Sequence, residues 1–475
     1  MSNERGNWGS SVGFVLAAAG SAIGLGNLWK FPYLAGKNGG GAFVIVYLSL
    51  IVILGFSLML GEMAIGRRGK SDAFGSYNNI KKGWGFIGIF GILCCFIIYS
   101  YYVVIAGWIV KYIGMFIRGG LTEDPVATFG GFISSGTSPI LYSFVIVVVT
   151  ALIVLKGVSG GIEKASKIMM PVLFVFMIVI VARSVTLPNA MEGIKYFLKP
   201  DFSQITPTVV IAALGQVFFS LSLGMGAMIT YGSYLPKDTN LVKSALCIPV
   251  LDTLIALLAG LAILPAVFSF GLEPTAGPGL IFITLPKVFA SMPMGNLFGI
   301  IFFVLVLFAA LTSTISLLEV VVSFVVDQMK LDRKKATILV SALIAAFAIP
   351  NSHSFGPMAE FKVFFGMNFF DFLGYLTDNI LLPMGGLLLC VFVGFIWDKE
   401  DIKKEITNDG EVSFPMFSIW MIGVKYLGIQ LLALILLQAI GLKGTGVSYS
   451  LAAIFMLQIL FDVLEKKKQE KTKTA

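Results

Sequence analysis

Apolar residues run along this chain in long blocks separated by short polar stretches. Twelve blocks reach the roughly 20 residues that a helix needs to cross a bilayer. They centre near residues 24, 53, 100, 148, 174, 222, 256, 310, 342, 384, 428 and 456. Two of them break their own pattern. The first contains "GSAIGLGNLWKFP", Gly20 to Pro32, with three glycines and polar side chains at lipid depth. The sixth reads "GQVFFSLSLGMGAMITYGSY" and buries Gln216, Ser220, Ser222, Thr230 and Ser233. Gly24-Leu25-Gly26 in the first and Gly224-Met225-Gly226 in the sixth lie two hundred positions apart. If blocks one to five and six to ten are two copies, the interrupted helix leads each copy. Paired glycine-broken segments of this kind point to a transporter binding site.

Glycine lowers the cost of leaving helical geometry. Each peptide group freed by unwinding costs several kcal/mol if it faces lipid, so it must face protein, water or a ligand. Freed carbonyls suit cations or an ammonium group, and half-helix N-termini suit anions. A zwitterion carried with small cations satisfies both. Gly20-x-x-x-Gly24 also fits close helix packing, but the second copy with its serines favours a site. No strand precedes either motif, which excludes a dinucleotide loop.

Composition sharpens this picture. Of 475 residues, 57% are hydrophobic and 13% charged, against about 25% charged in a soluble domain. Mean hydropathy is +0.91. The loops are too short for a sizeable soluble domain. The net charge of +8 suggests nucleic acid only until its distribution is drawn. With the N-terminus inside and twelve crossings, 23 of the 34 Lys+Arg fall on the inner side. That is the positive-inside bias. It predicts a multi-pass protein of the cell membrane, both termini cytoplasmic and no nucleic-acid partner. "VLAAAGSA" resembles a signal-peptide cleavage region, but the apolar run continues past it, so it is read as membrane helix. Cys94, Cys95, Cys247 and Cys390 are scattered through apolar blocks, and His353 is the one histidine. With no nucleophile–base pair and no metal cluster, an enzyme is not expected.

The remaining polar residues of the apolar blocks are candidates for ion and substrate binding. Thr312, Ser313 and Thr314 cluster in block eight. Such hydroxyls often bond back to carbonyls one turn earlier. Ala309, Thr312 and Ser313 nevertheless share one helix face, and neutral oxygens suit Na⁺, a hard cation. Asp252 stands alone in "CIPVLDTLIALLAG" and calls for a partner; a cation beside Ser220 and Asn27 supplies one. Glu62 is placed to accept hydrogen bonds from the unwound sixth helix, and Glu319 has no assigned role. Lys30 with Asp371 reads as an outer gate, with Asp378 the competing acid, and Arg5 with Asp327 as an inner one. Each reads equally as a charge at a helix end. Tyr99, Tyr101 and Tyr102 lie mid-block, where a hydroxyl can meet a substrate.

These residues carry a resemblance. "RGNWGSSVGFVLAAAGSAIGLGNLWKFPYLAGKNGGGAF", "GEMAIGRRG", "IYSYYVVIAGW", "FFSLSLGMGAMITYGSY" and "LFAALTSTISLLE" resemble the neurotransmitter:sodium symporters, specifically bacterial amino-acid members. The match covers helices one to eight well and ten more loosely. It implies an all-α membrane protein of twelve transmembrane helices, with a 5+5 inverted repeat, unwound helices 1 and 6 and two C-terminal helices. The corresponding divisions are residues 1–200, 201–397 and 398–475. It also implies two sodium sites. The first uses the Ala22 carbonyl, Asn27, Ser220 and the substrate carboxylate, with Asp252 where the family commonly has Asn. The second uses the carbonyls of Gly20, Ile23 and Ala309 and the hydroxyls of Thr312 and Ser313.

The resemblance further implies that the substrate amine meets the carbonyls of Ala22 and Phe219 and the Ser222 hydroxyl. The carboxylate meets the N–H groups near Gly24 and Gly26 and the Tyr102 hydroxyl. Ile98, Phe219, Met225 and Leu317 line the side-chain pocket. Arg5, Trp8, Ser233, Tyr234 and Asp327 match the inner gate, and Lys30 stands where many members have Arg. Gly24 stands where the monoamine branch has Asp, which favours substrates that bring their own carboxylate. The expected function is sodium-coupled import of apolar or aromatic L-amino acids by alternating access, independent of chloride. A sodium-dependent sensor or ligand-gated channel on the same fold is the alternative.

Overall fold

The computed structural model describes residues 6–120, 124–272 and 278–474, with side chains to 463. Among the described residues there are helices and turns and no strand. The first half of the chain forms α1 (Ser11–Ala22), α2 (Gly26–Lys37), α3 (Gly41–Gly69), α4 (Ala73–Ile80), α5 (Phe86–Ile117), α6 (Pro125–Ser134), α7 (Ser138–Leu155), α8 (Val158–Val185) and α9 (Ala190–Leu198). The second half forms α10 (Pro207–Ser220), α11 (Ala227–Gly232), α12 (Leu241–Ser269), α13 (Leu280–Ala290), α14 (Gly295–Met329), α15 (Arg333–His353) and α16 (Phe369–Ile396). Then come α17 (Lys399–Ile406), α18 (Phe417–Ala439) and α19 (Thr445–Thr474).

Ten of these helices are long and apolar enough to span a membrane. The pair α1 and α2, bent by 53° at its break, makes an eleventh span. The pieces α10 and α11 occupy the sixth apolar block, so all twelve blocks are accounted for. The polar residues between blocks stop and start the helices. Asn240 accepts the Lys243 N–H at 2.9 Å, Asp332 the Lys335 N–H at 3.0 Å and Asn368 the Asp371 N–H at 2.8 Å. Each satisfies an N–H group that the first helical turn leaves orphaned.

The long α14 packs against α5, α7 and α8, while α1 lies against α8, α12 and α14. The unwound middle of the sixth block is enclosed by backbone. A Cβ on Gly91 would lie 2.7 Å from the Met225 carbonyl carbon, and one on Gly224 would overlap the Leu382 carbonyl. Only glycine admits so close an approach at Gly224, where φ is +79°. The break therefore faces protein rather than lipid.

Candidate functional site

The first break is closed by side chains from within and across the bundle. Helix α1 ends where Ile23 turns to an extended conformation, φ −70° and ψ 104°. Leu25 donates its N–H to the Tyr102 hydroxyl at 3.0 Å, and Gly24 donates its N–H to Asn27 Oδ1 at 3.0 Å. In the second break Ser222, Gly224 and Gly226 all have positive φ, at +53°, +79° and +76°. There the Gly224 N–H donates to Glu62 Oε1 at 2.7 Å. The two breaks also bond to each other. The Ser222 hydroxyl donates to the Ser21 carbonyl at 2.9 Å, and Gln216 Nε2 donates to the Gly26 carbonyl at 3.0 Å.

Between the breaks lies a small cavity. Ala22, Gly24, Gly26, Ile98, Tyr102, Phe219, Ser222, Met225 and Leu317 all line it, so every position named for substrate on the sequence faces one space. Ser21, Leu25 and Ser316 also line it and were not anticipated. The signal for Ser316 was available: it follows Thr312 and Ser313 at i+4 and i+3 and so shares their face. Ser313, assigned on the sequence to an ion, lines the cavity too. The backbone of the breaks and the hydroxyls of Tyr102, Ser222 and Ser313 supply polar lining, and Ile98, Met225 and Leu317 supply apolar wall. Small-molecule sites commonly combine a mostly apolar lining with a few placed polar groups.

Beside the cavity, Asn27, Ser220 and Asp252 come together. Asn27 Nδ2 donates to Asp252 Oδ1 at 2.7 Å, to the Asp252 carbonyl at 3.2 Å and to Ser220 Oγ at 3.0 Å. The Ser220 hydroxyl donates to Asp252 Oδ2 at 2.8 Å, and the Tyr47 hydroxyl donates to the same oxygen at 3.3 Å. Asp252 is fully buried and, among the described residues, has no Lys or Arg partner. A buried carboxylate held by neutral donors alone is an uncompensated charge, which a small cation offsets. The Asp252 carboxylate and the Ser220 hydroxyl offer oxygens that fit a hard ion such as Na⁺, while Asn27 turns its amide nitrogen to them and its Oδ1 to the Gly24 N–H. Near Gly20 the arrangement is neutral. Thr312 Oγ1 donates back towards the carbonyls of Phe308 and Ala309, each at 3.1 Å, and Ser313 Oγ to Ala309 at 3.2 Å. A Cβ on Gly20 would lie 3.1 Å from Thr312 Cβ, and Ser313 Oγ lies 3.4 Å from the Ser21 carbonyl, so α1 and α14 meet closely here.

The gate assignments divide. Lys30 Nζ pairs with Asp378 at 2.8 Å and lies 4.1 Å from the centroid of the Phe219 ring. This corrects the pairing with Asp371, which instead sits in the first turn of α16 with its N–H capped by Asn368. Asp371 is thus a charge at a helix N-terminus, where the dipole favours it. Trp8 is buried and donates its indole N–H to the Tyr231 carbonyl at 2.9 Å. Its ring meets those of Phe14, Tyr231 and Tyr234 edge-on. Tyr234 donates its hydroxyl to Glu319 Oε1 at 2.7 Å, and Glu319 also pairs with Arg333. That gives Glu319 the partner the sequence could not supply. Ser233 donates to the Thr230 carbonyl within its own half-helix, at 2.6 Å. Asp327 Oδ2 accepts the Asp72 N–H at 2.7 Å. Burial first, and the nearby Asp327 carboxylate after it, raise the Asp72 carboxyl above the ordinary aspartate range against the pull of Gln328. Arg5 lies outside the described residues. Tyr101 reaches Thr377 at 3.2 Å, while Tyr99 is buried in the core.

Comparison with known proteins gives this geometry a family. The profile described as the Sodium:neurotransmitter symporter family matches residues 5–122 and 134–450. An uncharacterized sodium-dependent transporter, YhdH of Bacillus subtilis, is 40% identical over 92% of this chain and 98% of its own length. An uncharacterized sodium-dependent transporter of Haemophilus influenzae is 40% identical over 89% of this chain and 96% of its own. The crystal structure of MhsT in complex with L-phenylalanine superposes with a TM-score of 0.86 at 40% identity, covering 92% of this chain and all of that one. The chain belongs to the sodium:neurotransmitter symporter family. It is a multi-pass, sodium-dependent membrane transporter and not an enzyme.

Proposed function

We propose that the chain imports an apolar or aromatic L-amino acid together with two Na⁺ by alternating access, without chloride, from a site between its two helix breaks. The observation that carries this reading is the shared cavity. Two unwound segments border one space, lined by their backbone and hydroxyls together with the apolar side chains of Ile98, Met225 and Leu317. Backbone N–H groups at Gly24 and Gly26 with the Tyr102 hydroxyl suit a carboxylate, and the Ala22 and Phe219 carbonyls with Ser222 suit an ammonium group. MhsT, similar along nearly the whole chain, holds phenylalanine.

The ions are cargo. Ala22, Asn27, Ser220 and Asp252 are the donors for one Na⁺, and Gly20, Ile23, Ala309, Thr312 and Ser313 for the other. With a net-neutral substrate, two charges moving through 100 mV gain about 4.6 kcal/mol. That supports accumulation of more than about a thousandfold. Trp8, Ser233, Tyr234 and Asp327 belong to the closed cytoplasmic end and Lys30 with Asp378 to the outer one. Both termini face the cytoplasm on this reading, which the positive-inside bias of the loops supports.

Reconstituted vesicles test the reading. Uptake of a labelled apolar amino acid is expected to be saturable, uphill, sodium-dependent and blocked by unlabelled Leu, Phe or Trp. Current without uphill accumulation replaces the symporter by a channel. Competition by polar or acidic amino acids alone refutes the substrate class.

A further inference from the structure

One carboxylate from another span holds the start of α1. Glu163 lies at the end of the π turn (Val158–Glu163) that opens α8, and it is buried. Its Oε2 accepts the Gly9 N–H at 2.6 Å, and its Oε1 accepts the Ser10 hydroxyl at 2.9 Å. Ser10 is the N-cap of α1 and accepts the Gly13 N–H at 3.0 Å. The carboxylate therefore meets both the orphaned donors and the positive end of the helix dipole. Gly13 makes room for it, because a Cβ there would overlap the Glu163 side chain. Lys167, one turn further along α8, pairs with Glu163 Oε1 at 2.6 Å from a more exposed position.

Another flank of the start of α1 faces a cleft. It lies between α1 and the start of α12, with Val12 and Leu16 on one wall and Lys243, Cys247 and Leu251 on the other. The lower part of α1 is thus fastened to α8 through Glu163 and to α11 through Trp8, and borders the cleft on its remaining flank.

We infer that Glu163 is a positioning residue for cytoplasmic closure: its hydrogen bonds to Gly9 and Ser10 pin the lower half of α1 to α8, and their loss lets that half of the helix swing away. Glu163 touches neither the cavity nor the ion donors and acts only through α1. This rests on the alternating-access reading of the bundle and not on which amino acid is carried.

Amide hydrogen exchange on the purified full-length protein, with and without Na⁺, reads the pin directly. In Glu163→Gln, exchange over residues 6–19 is expected to rise by about tenfold while that of α12 and α14 holds. Gly13→Ala, which displaces the carboxylate without changing charge, is expected to give the same pattern, and the two together no more than either. Lys167→Met keeps both contacts to α1 and is expected to match the wild type. In uptake, Glu163→Gln and Gly13→Ala raise the Na⁺ half-saturation several-fold, since more Na⁺ is needed to hold the closed population. Substrate affinity at saturating Na⁺ changes little. Unaltered exchange in α1 for both variants overturns the inference, as does a rise in Lys167→Met equal to that in Glu163→Gln. If Glu163→Gln exchanges everywhere because it fails to fold, Gly13→Ala decides the matter in its place: faster exchange confined to α1 supports the pin, and unaltered exchange overturns it. Exchange is read without transport, so uptake that proves independent of sodium refutes the symport reading and leaves this result standing.

Discussion

The Asn27 amide donates to the Asp252 carboxylate at 2.7 Å, tying the broken first span to α12 across 225 positions of sequence. The pair is fully buried and lacks a basic partner among the described residues. Replacing Asp252 by Asn removes the charge and keeps the shape. The variant is expected to fold and to need at least about tenfold more Na⁺ for half-maximal uptake, a loss of about 1.4 kcal/mol. Sodium-dependent thermal stabilisation is expected to weaken in parallel, because ligand stabilisation follows affinity. On the proposed reading this built-in anion takes the place of chloride, so replacing chloride with gluconate is expected to leave wild-type uptake unchanged. Uptake abolished by gluconate, or a D252N protein with wild-type sodium dependence, refutes the assignment.

Gly24 sets the other chemical boundary of the cavity. A Cβ there would lie 2.6 Å from Ser313 Oγ and 2.9 Å from the Tyr102 hydroxyl. Both neighbours belong to the candidate site, so even one methyl group intrudes on it. Gly24→Ala is expected to weaken amino-acid binding by more than about tenfold, roughly the cost of over-packing a fitted site. Gly24→Asp, which supplies a fixed carboxylate, is expected to abolish binding of substrates that carry their own. Equilibrium binding of labelled substrate at saturating Na⁺ measures both.

Much of this arrangement was legible in the sequence, for a physical reason. Glycine pairs and hydroxyls at lipid depth are costly unless something uses them, so residues 24–26 and 224–226 announced themselves. Asp252 was conspicuous by the same argument, and Asn27 and Ser220 stood on the two motifs. The outer gate was not legible. Asp371 and Asp378 lie two helical turns apart on one face, and only the tilt of α16 against α2 decides which meets Lys30. Glu319 was equally opaque. Its partners come from the end of the sixth block and from α15, and no local pattern says that Tyr234 and Arg333 converge on it. Ser316 was missed although its spacing from Thr312 and Ser313 was in view.

The Lys30–Asp378 pair is about one-quarter exposed at both ends, 27% and 29%. Pairs of that exposure contribute about 0–1 kcal/mol. Asp378→Asn is therefore expected to change uptake by no more than about fivefold, with a smaller effect at high ionic strength, where the pair is screened. Asp371→Asn keeps its helix cap and is expected to leave the salt dependence of uptake as it was. If Asp371→Asn alters that dependence and Asp378→Asn does not, the outer gate lies elsewhere.

Glu319 presents the opposite case. It is fully buried and pairs with the Arg333 guanidinium, whose Nε also donates to the Val154 carbonyl at 2.9 Å. Removing one partner of a buried ion pair leaves an uncompensated charge, at a cost of about 3–5 kcal/mol. Arg333→Met is accordingly expected to lower the thermal midpoint of the purified transporter sharply. Tyr234→Phe removes the hydrogen bond to Glu319 and is expected to cost about 1.5–3 kcal/mol, because that acceptor is charged. The double variant Glu319→Gln/Arg333→Met is expected to be less destabilised than the sum of its parts, since each change removes the charge the other strands. Additive losses in that cycle would show that Glu319 and Arg333 act independently, and the latch between the sixth block, α14 and α15 would then rest on packing alone.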